Sequence, residues 1–180
     1  DPNITVKDAN KLFGQLMQAR QISNSVAMGR KDVSVSQSAE RTPKVRATVD
    51  AAVKHLAERP DNKVVLYSNL IRGGVDVLSA GLKGVGIPHA LFIGKGTEMG
   101  DGRKVTSVSR AQGVEDFKAG RKRVIVLSGA GAEGLDLPNS TAFYALDGHF
   151  NPERIMQAEA RTVRMGGQSK RAPENRKVDV

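Results

Sequence analysis

Residues 123–137 have the sequence RVIVLSGAGAEGLDL, which joins an apolar run to a glycine-rich segment. It opens with a short apolar run, residues 123–127, of the kind that forms a buried strand in a parallel sheet. The residues that follow are almost all small, so backbone N–H groups there can approach a phosphate closely, and the Ser128 hydroxyl adds a donor. Asp136 is placed to accept a hydrogen bond from a sugar hydroxyl. The glycines would equally suit a tight strand-to-helix turn that serves packing alone.

Similar apolar runs recur along the chain and alternate with helical patterns. Further strands are predicted at residues 64–68, 89–93, 141–146 and 176–180. Helices are predicted at residues 7–28, 44–59, 75–85, 109–119 and 152–165. This alternation predicts an α/β fold, a doubly wound and mostly parallel sheet with helices on both faces, preceded by an N-terminal helical segment. The functional loops should lie at the carboxyl ends of the strands.

A polar stretch separates the first helix from this alternating part. Residues 29–43 are rich in Ser, Gln and charged residues and lack periodicity, which predicts a mobile linker or flap. We therefore divide the chain into residues 1–42, a helix with a flexible polar linker, and residues 43–180, one folded lobe.

A second polar stretch, residues 94–110, is longer than an ordinary connection and is therefore expected to be functional or disordered. Its Gly94-Lys95 pair does not belong to a nucleotide-binding P-loop. That motif needs Gly where His89 stands and Ser or Thr where Gly96 stands.

Composition narrows the classes of function. The 180 residues carry a net charge of +9, which favours an anionic partner, most often nucleic acid. The absence of Cys excludes structural disulfides and Cys-ligated zinc, and the three His residues show no metal-ligand spacing, so we predict no metal site. No apolar run approaches the roughly 20 residues of a membrane span, and no signal peptide opens the chain, so we expect an intracellular, soluble protein without a membrane partner. Aromatic residues make up 4%, which disfavours a base-stacking platform for single strands.

A row of basic residues lies on one face of the last predicted helix. Arg154, Gln157, Arg161 and Arg164 follow the spacing i, i+3, i+7 and i+10, so they lie one above another. A solvated helix face would explain such a row, and so would an anionic ligand that offsets the mutual repulsion of the guanidinium groups.

Taken together, these two segments resemble motifs V and VI in the second RecA-like lobe of superfamily 2 helicases and translocases. Ser128, Gly134 and Asp136 match motif V in register, and Gln157, Arg161 and Arg164 match motif VI. Ala160 departs from the family, where Gly is usual.

Within that superfamily, the chain is most similar to the SWI/SNF-type double-stranded-DNA translocases. The blocks that carry this similarity are Ala19–Asn24, Thr42-Pro43-Lys44, Val64–Ser68, the spaced Gly94, Arg110 and Phe117, Asp147–Pro152, and Gly167-Gln168. Two differences are a longer loop after Gly94 and Phe150 in place of a family Trp.

The resemblance implies specific roles for the matched residues. Arg161 and Arg164 would be arginine fingers that reach the γ-phosphate of ATP, while Gly134, Asp136 and Gln157 would bind the nucleotide. Ser68, Asn69, Ser128 and Gly129 would hold one nucleic-acid strand by its phosphates, with DNA favoured over RNA. ATP and Mg²⁺ would be held mainly by an N-terminal RecA-like lobe, whose P-loop Lys and Asp-Glu pair do not occur in this chain.

We therefore expect a fragment of a larger two-lobe protein that does not hydrolyse ATP by itself. Two alternatives stay open at this point. One is a stand-alone, non-catalytic nucleic-acid-binding domain, and the other is a phosphate-binding α/β transferase.

Overall fold

The computed structural model describes residues 5–30, 32–129, 135–148 and 152–162. The helices are α1 (Val6–Asn24), α2 (Val35–Arg41), α3 (Pro43–Glu58), α4 (Asp76–Gly84), α5 (Ser107–Lys118) and α6 (Pro152–Thr162). The strands are β1 (Val64–Ser68), β2 (His89–Phe92), β3 (Val124–Ser128) and β4 (Ala142–Ala145). A 3₁₀ turn at Val26–Met28 follows α1, and a π-helical turn at Ile71–Val75 leads into α4.

These strands form one parallel sheet in the order β2-β3-β1-β4. The register places Ser68 opposite Ser128 at the ends of β1 and β3, and Phe92 opposite Leu127 at the ends of β2 and β3. The carboxyl ends of neighbouring strands therefore meet at one edge of the sheet. The predicted α/β fold with a parallel sheet is confirmed.

Both faces of the sheet are covered. Val64 and Leu66 of β1 face the cluster that includes Leu78 of α4. Val65 and Tyr67 face the opposite cluster, which includes Phe117 of α5. Strands buried on both faces consist of continuous apolar runs, which is why the sequence predicts them well.

The prediction of a mobile linker at residues 29–43 is wrong, because α2 occupies much of that stretch. The Ser34 hydroxyl accepts from the backbone N–H of Gln37, and the Gln37 side chain accepts from the backbone N–H of Ser34, which is a capping box. Ala39 is buried in the core, and the buried Ser38 hydroxyl lies 2.9 Å from that of Ser25. The division of the chain at residues 42 and 43 stays a prediction.

The stretch between β2 and α5 is packed onto the lobe rather than disordered. Met99 and Val105 are buried, and a short antiparallel bridge joins Glu98 to Lys104. The backbone N–H of Gly100 donates to the Asp76 carboxylate at 3.0 Å, while burial raises the pKa of that carboxyl. The disordered alternative for residues 94–110 is therefore wrong, and a functional role stays a prediction.

Two predicted features lie outside the described residues. These are the strand at residues 176–180 and the last turn of the helix predicted to end at residue 165. Within the described ranges, none of the helices has the length and apolar character that crossing a membrane requires.

Candidate nucleic-acid interface

The carboxyl edge of the sheet brings together four residues predicted to bind nucleic acid. Ser68 ends β1 and Ser128 ends β3, and they face each other in register. Asn69 and Gly129 directly follow these two strands. Adjacent strands lie about 4.8 Å apart, so all four residues occupy one small area.

The Ser128 hydroxyl is an unpaired donor within the described ranges. Its side chain is buried, with 2% of its surface exposed, and its hydroxyl has no hydrogen-bond partner in the described part of the chain. Nearly all buried polar groups in folded proteins are paired, because leaving one unpaired costs about 1–3 kcal/mol. An unpaired hydroxyl at a functional edge is therefore a candidate ligand contact.

Gly129 allows Asn69 to approach β3 closely. A Cβ at Gly129 would lie 2.6 Å from Oδ1 of Asn69 and 3.2 Å from the Tyr67 hydroxyl, so a larger residue would displace the amide. The Asn69 side chain is half-buried and forms no hydrogen bond among the described residues. It therefore lies beside the Ser128–Gly129 backbone with its amide available.

Ser68, in contrast, is already committed within the protein. It is fully buried, and its hydroxyl donates to the Asp147 carboxylate at 2.6 Å. The other oxygen of Asp147 accepts from the backbone N–H of Asn69 at 2.8 Å. Asp147 follows β4, so this carboxylate fastens the Ser68–Asn69 turn to the neighbouring strand.

Helix α1 completes this cluster from the outside. Asn24, at its last position, donates to Asp147 at 3.1 Å, and Lys44 of α3 donates to the Asn24 oxygen at 2.9 Å. Arg20 donates to the carbonyl of Gly148. The two cations therefore bond to groups that adjoin Asp147, namely the Asn24 side chain and the Gly148 carbonyl.

A further cation lies at the same edge on the far side of β3. The Arg110 guanidinium of α5 lies 4.2 Å from the centre of the Phe92 ring at the end of β2. Its Nε atom is buried without a partner among the described residues. The ring therefore supports a half-buried positive charge one strand away from Ser128.

Sequence reasoning assigned no role to Asn24, Lys44 or Asp147. A signal for them did exist, because each lies in a block that resembles the SWI/SNF-type translocases. The sequence does not reveal that these blocks meet at the Asp147 carboxylate.

Only some of the residues predicted to contact the nucleotide lie within the described part of the chain. Asp136 and Gln157 are both exposed, Gln157 lies on α6, and neither forms a hydrogen bond with the edge cluster in the described part of the chain. The backbone of Arg161 belongs to α6, but its side chain lies outside the described part, as do Gly134 and Arg164 entirely. Their predicted roles stay predictions.

Most of this chain matches a known protein family. The model of the helicase conserved C-terminal domain matches residues 47–166. This range contains the carboxyl ends of all four described strands and the segments assigned to motifs V and VI. The predicted resemblance to the second lobe of superfamily 2 proteins is confirmed.

Solved structures share the fold. The Sulfolobus solfataricus SWI2/SNF2 ATPase core domain matches 93% of this chain and 32% of its own length, with a TM-score of 0.68 and 19% identity. The C-terminal domain of the same organism's SWI2/SNF2 ATPase matches 82% of this chain and 59% of its own length, with a TM-score of 0.60 and 18% identity. The predicted RecA-like lobe is therefore confirmed as the fold.

A curated relative extends beyond the matched region. It is a protein of Acanthamoeba polyphaga mimivirus, provisionally named as an ATP-dependent RNA helicase, and it is 26% identical over 147 residues. The match covers 82% of this chain but only 30% of the relative. The chain thus spans less than a third of the length of this relative.

Proposed function

Because this chain belongs to the helicase C-terminal domain family, we propose that it is the second motor lobe of an ATP-dependent helicase or translocase that grips nucleic acid by its phosphates. Double-stranded DNA is the favoured substrate, from the similarity of the sequence blocks to SWI/SNF-type translocases. The name of the mimiviral relative makes RNA the alternative to be tested.

One observation carries the nucleic-acid part of the proposal. The Ser128 hydroxyl is buried and has no partner among the described residues, and it lies opposite the turn that presents the Asn69 amide. A phosphate oxygen at this edge would accept from both groups and from the backbone N–H of Gly129. Contacts to phosphates carry no base information, which suits a motor that moves over any sequence.

Ser68 takes a supporting role in this proposal. Its hydroxyl proton is directed at Asp147, so a direct bond to phosphate would require breaking a short, charge-assisted hydrogen bond. We assign the contacts to Asn69, Ser128 and Gly129, and assign to Ser68 the shape of the turn that carries Asn69.

The ATP side of the proposal rests on motif VI. Arg161 and Arg164 act as arginine fingers because a guanidinium is permanently charged and bonds phosphate through two donors. Gln157 orients the phosphate, and Gly134 and Asp136 line the nucleotide. Mg²⁺ is assigned mainly to the first lobe, as the resemblance to superfamily 2 proteins implies.

The test is binding of this chain to fluorescent duplex DNA, single-stranded DNA and duplex RNA. Ser128→Ala and Asn69→Ala should each weaken binding of the preferred form about tenfold, because each removes a hydrogen bond to a charged oxygen. Gly129→Ala should act like Asn69→Ala, since the added Cβ displaces the amide. The slope of log affinity against log salt should not change, because neutral side chains release no counterions.

Ser36→Ala and Asn10→Ala are matched controls, because both residues are exposed on helices α2 and α1. Both control variants should bind like the parent chain. The proposal fails if the parent chain binds none of the three nucleic acids, or if the edge variants bind as tightly as the controls.

A further inference from the structure

We propose that Asp147 and Asn24 are positioning residues for the phosphate-binding turn, which makes α1 part of the nucleic-acid site. This inference rests on the proposed function. It extends the site beyond residues 47–166, the range that the family model matches, since α1 precedes that range.

The Asp147 carboxylate is the centre of the arrangement. It is 4% exposed and accepts three hydrogen bonds, from the Ser68 hydroxyl, the Asn69 backbone N–H and the Asn24 amide. Hydrogen bonds to a carboxylate are about twice as strong as those between neutral groups. Two of the three donors lie on the turn itself, so this carboxylate sets the position of the turn.

The bond to Asp147 uses the backbone of Asn69 and not its side-chain amide, which is the group proposed to bind phosphate. The backbone N–H of Asn69 donates to Asp147, while its side-chain amide lies beside Gly129, the residue that follows Ser128. A shift of the carboxylate would move the backbone of Asn69 and carry the amide away from Ser128. Asp147 therefore acts on a bound phosphate through Asn69 and does not touch the phosphate.

Asn24 is itself held in one orientation. Lys44 donates to its side-chain oxygen, so the amide nitrogen must point at Asp147. Arg20 also donates to the Gly148 carbonyl, so the end of α1 bonds to two consecutive residues after β4, Asp147 and Gly148.

The local backbone is shaped to receive this helix. A Cβ at Gly73 would lie 2.8 Å from Cα of Gln21, which is closer than real contacts allow. Only glycine at this position lets α1 come near enough for Asn24 to reach Asp147. The contact therefore depends on close approach of the helix backbone rather than on a long side chain reaching across solvent.

The test reverses the amide–carboxylate pair. Asn24→Asp places two carboxylates in contact, and Asp147→Asn removes the charge that holds the turn. Each single variant should weaken binding of the preferred nucleic acid about tenfold, the size expected for a lost hydrogen bond to a charged group.

Combining both substitutions should restore most of the affinity. The new carboxylate at position 24 would accept from the new amide at position 147 and would pair with Lys44. That amide would still accept from the Asn69 N–H and could donate to the Ser68 oxygen, while the Ser68 proton would turn to the Leu70 carbonyl, 3.1 Å away. Two residues that acted independently of each other would show additive losses instead of rescue.

Hydrogen exchange at the Asn69 amide gives a second readout that does not need a ligand. Exchange should be faster in each single variant and slow again in the double variant. Asn10→Asp is the matched control, because it makes the same change of charge at an exposed position of the same helix. Thermal unfolding would show whether each single variant stays folded.

The outcomes separate the two proposals. If the parent chain binds no nucleic acid, the proposed function falls and the positioning role falls with it. If the parent chain binds and Ser128→Ala weakens binding, but Asn24→Asp and Asp147→Asn bind like Asn10→Asp, only the positioning inference is overturned. Additive loss in the double variant, with fast exchange at Asn69, would also overturn it.

Discussion

Gly74 shows how a residue without a side chain can shape a site. A Cβ there would overlap the Ser68 hydroxyl and press against Leu70, so the π-helical turn can pass behind Ser68 only as glycine. Because that hydroxyl is bonded to Asp147, the position of Gly74 is linked to the candidate phosphate contacts.

Gly74→Ala should therefore destabilise the fold by about 1–3 kcal/mol, the usual cost of forcing extra atoms into a packed region. Gly84→Ala is the control, because Gly84 lies on α4 with open space around it. That variant should stabilise the chain by about 0.5–1 kcal/mol, since alanine loses less entropy in a helix. Urea unfolding of both variants gives the measurement, and a change of equal sign in the two would contradict this explanation.

For single residues, the sequence predicts where a side chain lies in the fold better than it predicts which group that side chain bonds to. Ser68 was correctly placed at the end of a strand, but its partner Asp147 is 79 positions away. A hydroxyl committed to a carboxylate and a hydroxyl free for a ligand look the same in a sequence. Ser128 differs from Ser68 only through contacts that the fold creates.

Helix α2 is an element that the sequence did not predict. Its seven residues, Val35–Arg41, offer only Val35 and Ala39 as apolar positions, too few to reveal a helical period. The capping box at Ser34 was the available signal. The four described strands, in contrast, are mostly apolar runs, and their predicted bounds agree with the structure to within a residue or two.

Ser34→Ala should cost about 1 kcal/mol of stability, because the N–H of Gln37 loses its acceptor at the start of a short helix. Ser36→Ala, at an exposed position of the same helix, should change stability little or raise it slightly, because alanine favours helices. Chemical denaturation would compare the two variants. Equal effects would mean that the cap does not hold α2 in place.

On the scale of the whole molecule, the proposed motor lobe would contact nucleic acid at one edge and would supply only part of an ATP site. A guanidinium stabilises charge during phosphoryl transfer but cannot assemble magnesium, water and phosphate. The P-loop pattern is absent from the sequence, and the described residues contain no metal-binding cluster. If this lobe supplies the arginine fingers and the first lobe holds ATP and Mg²⁺, the two lobes should be needed together for ATP hydrolysis.

This chain alone should show no ATP hydrolysis above background. When it is joined to a lobe that carries a P-loop, nucleic acid should stimulate ATPase activity, and Arg161→Ala or Arg164→Ala should lower that activity about a thousandfold, as removal of an arginine finger does. Arg154→Ala makes the same change of charge on the same helix and should have a much smaller effect. ATPase activity of the isolated chain that is lost in Arg161→Ala would refute this prediction.

The order of strands in the sheet also has a consequence for how the protein is made. Strand β1 lies between β3 and β4, and β2, the next strand along the chain, is not its neighbour. A ribosome therefore releases the apolar residues 64–68 well before residues 124–128 exist to pair with them. Until then, an apolar strand with two open edges stays exposed to aggregation. Slow translation between β1 and β3 would prolong that interval, and a chaperone bound to the nascent chain would protect it.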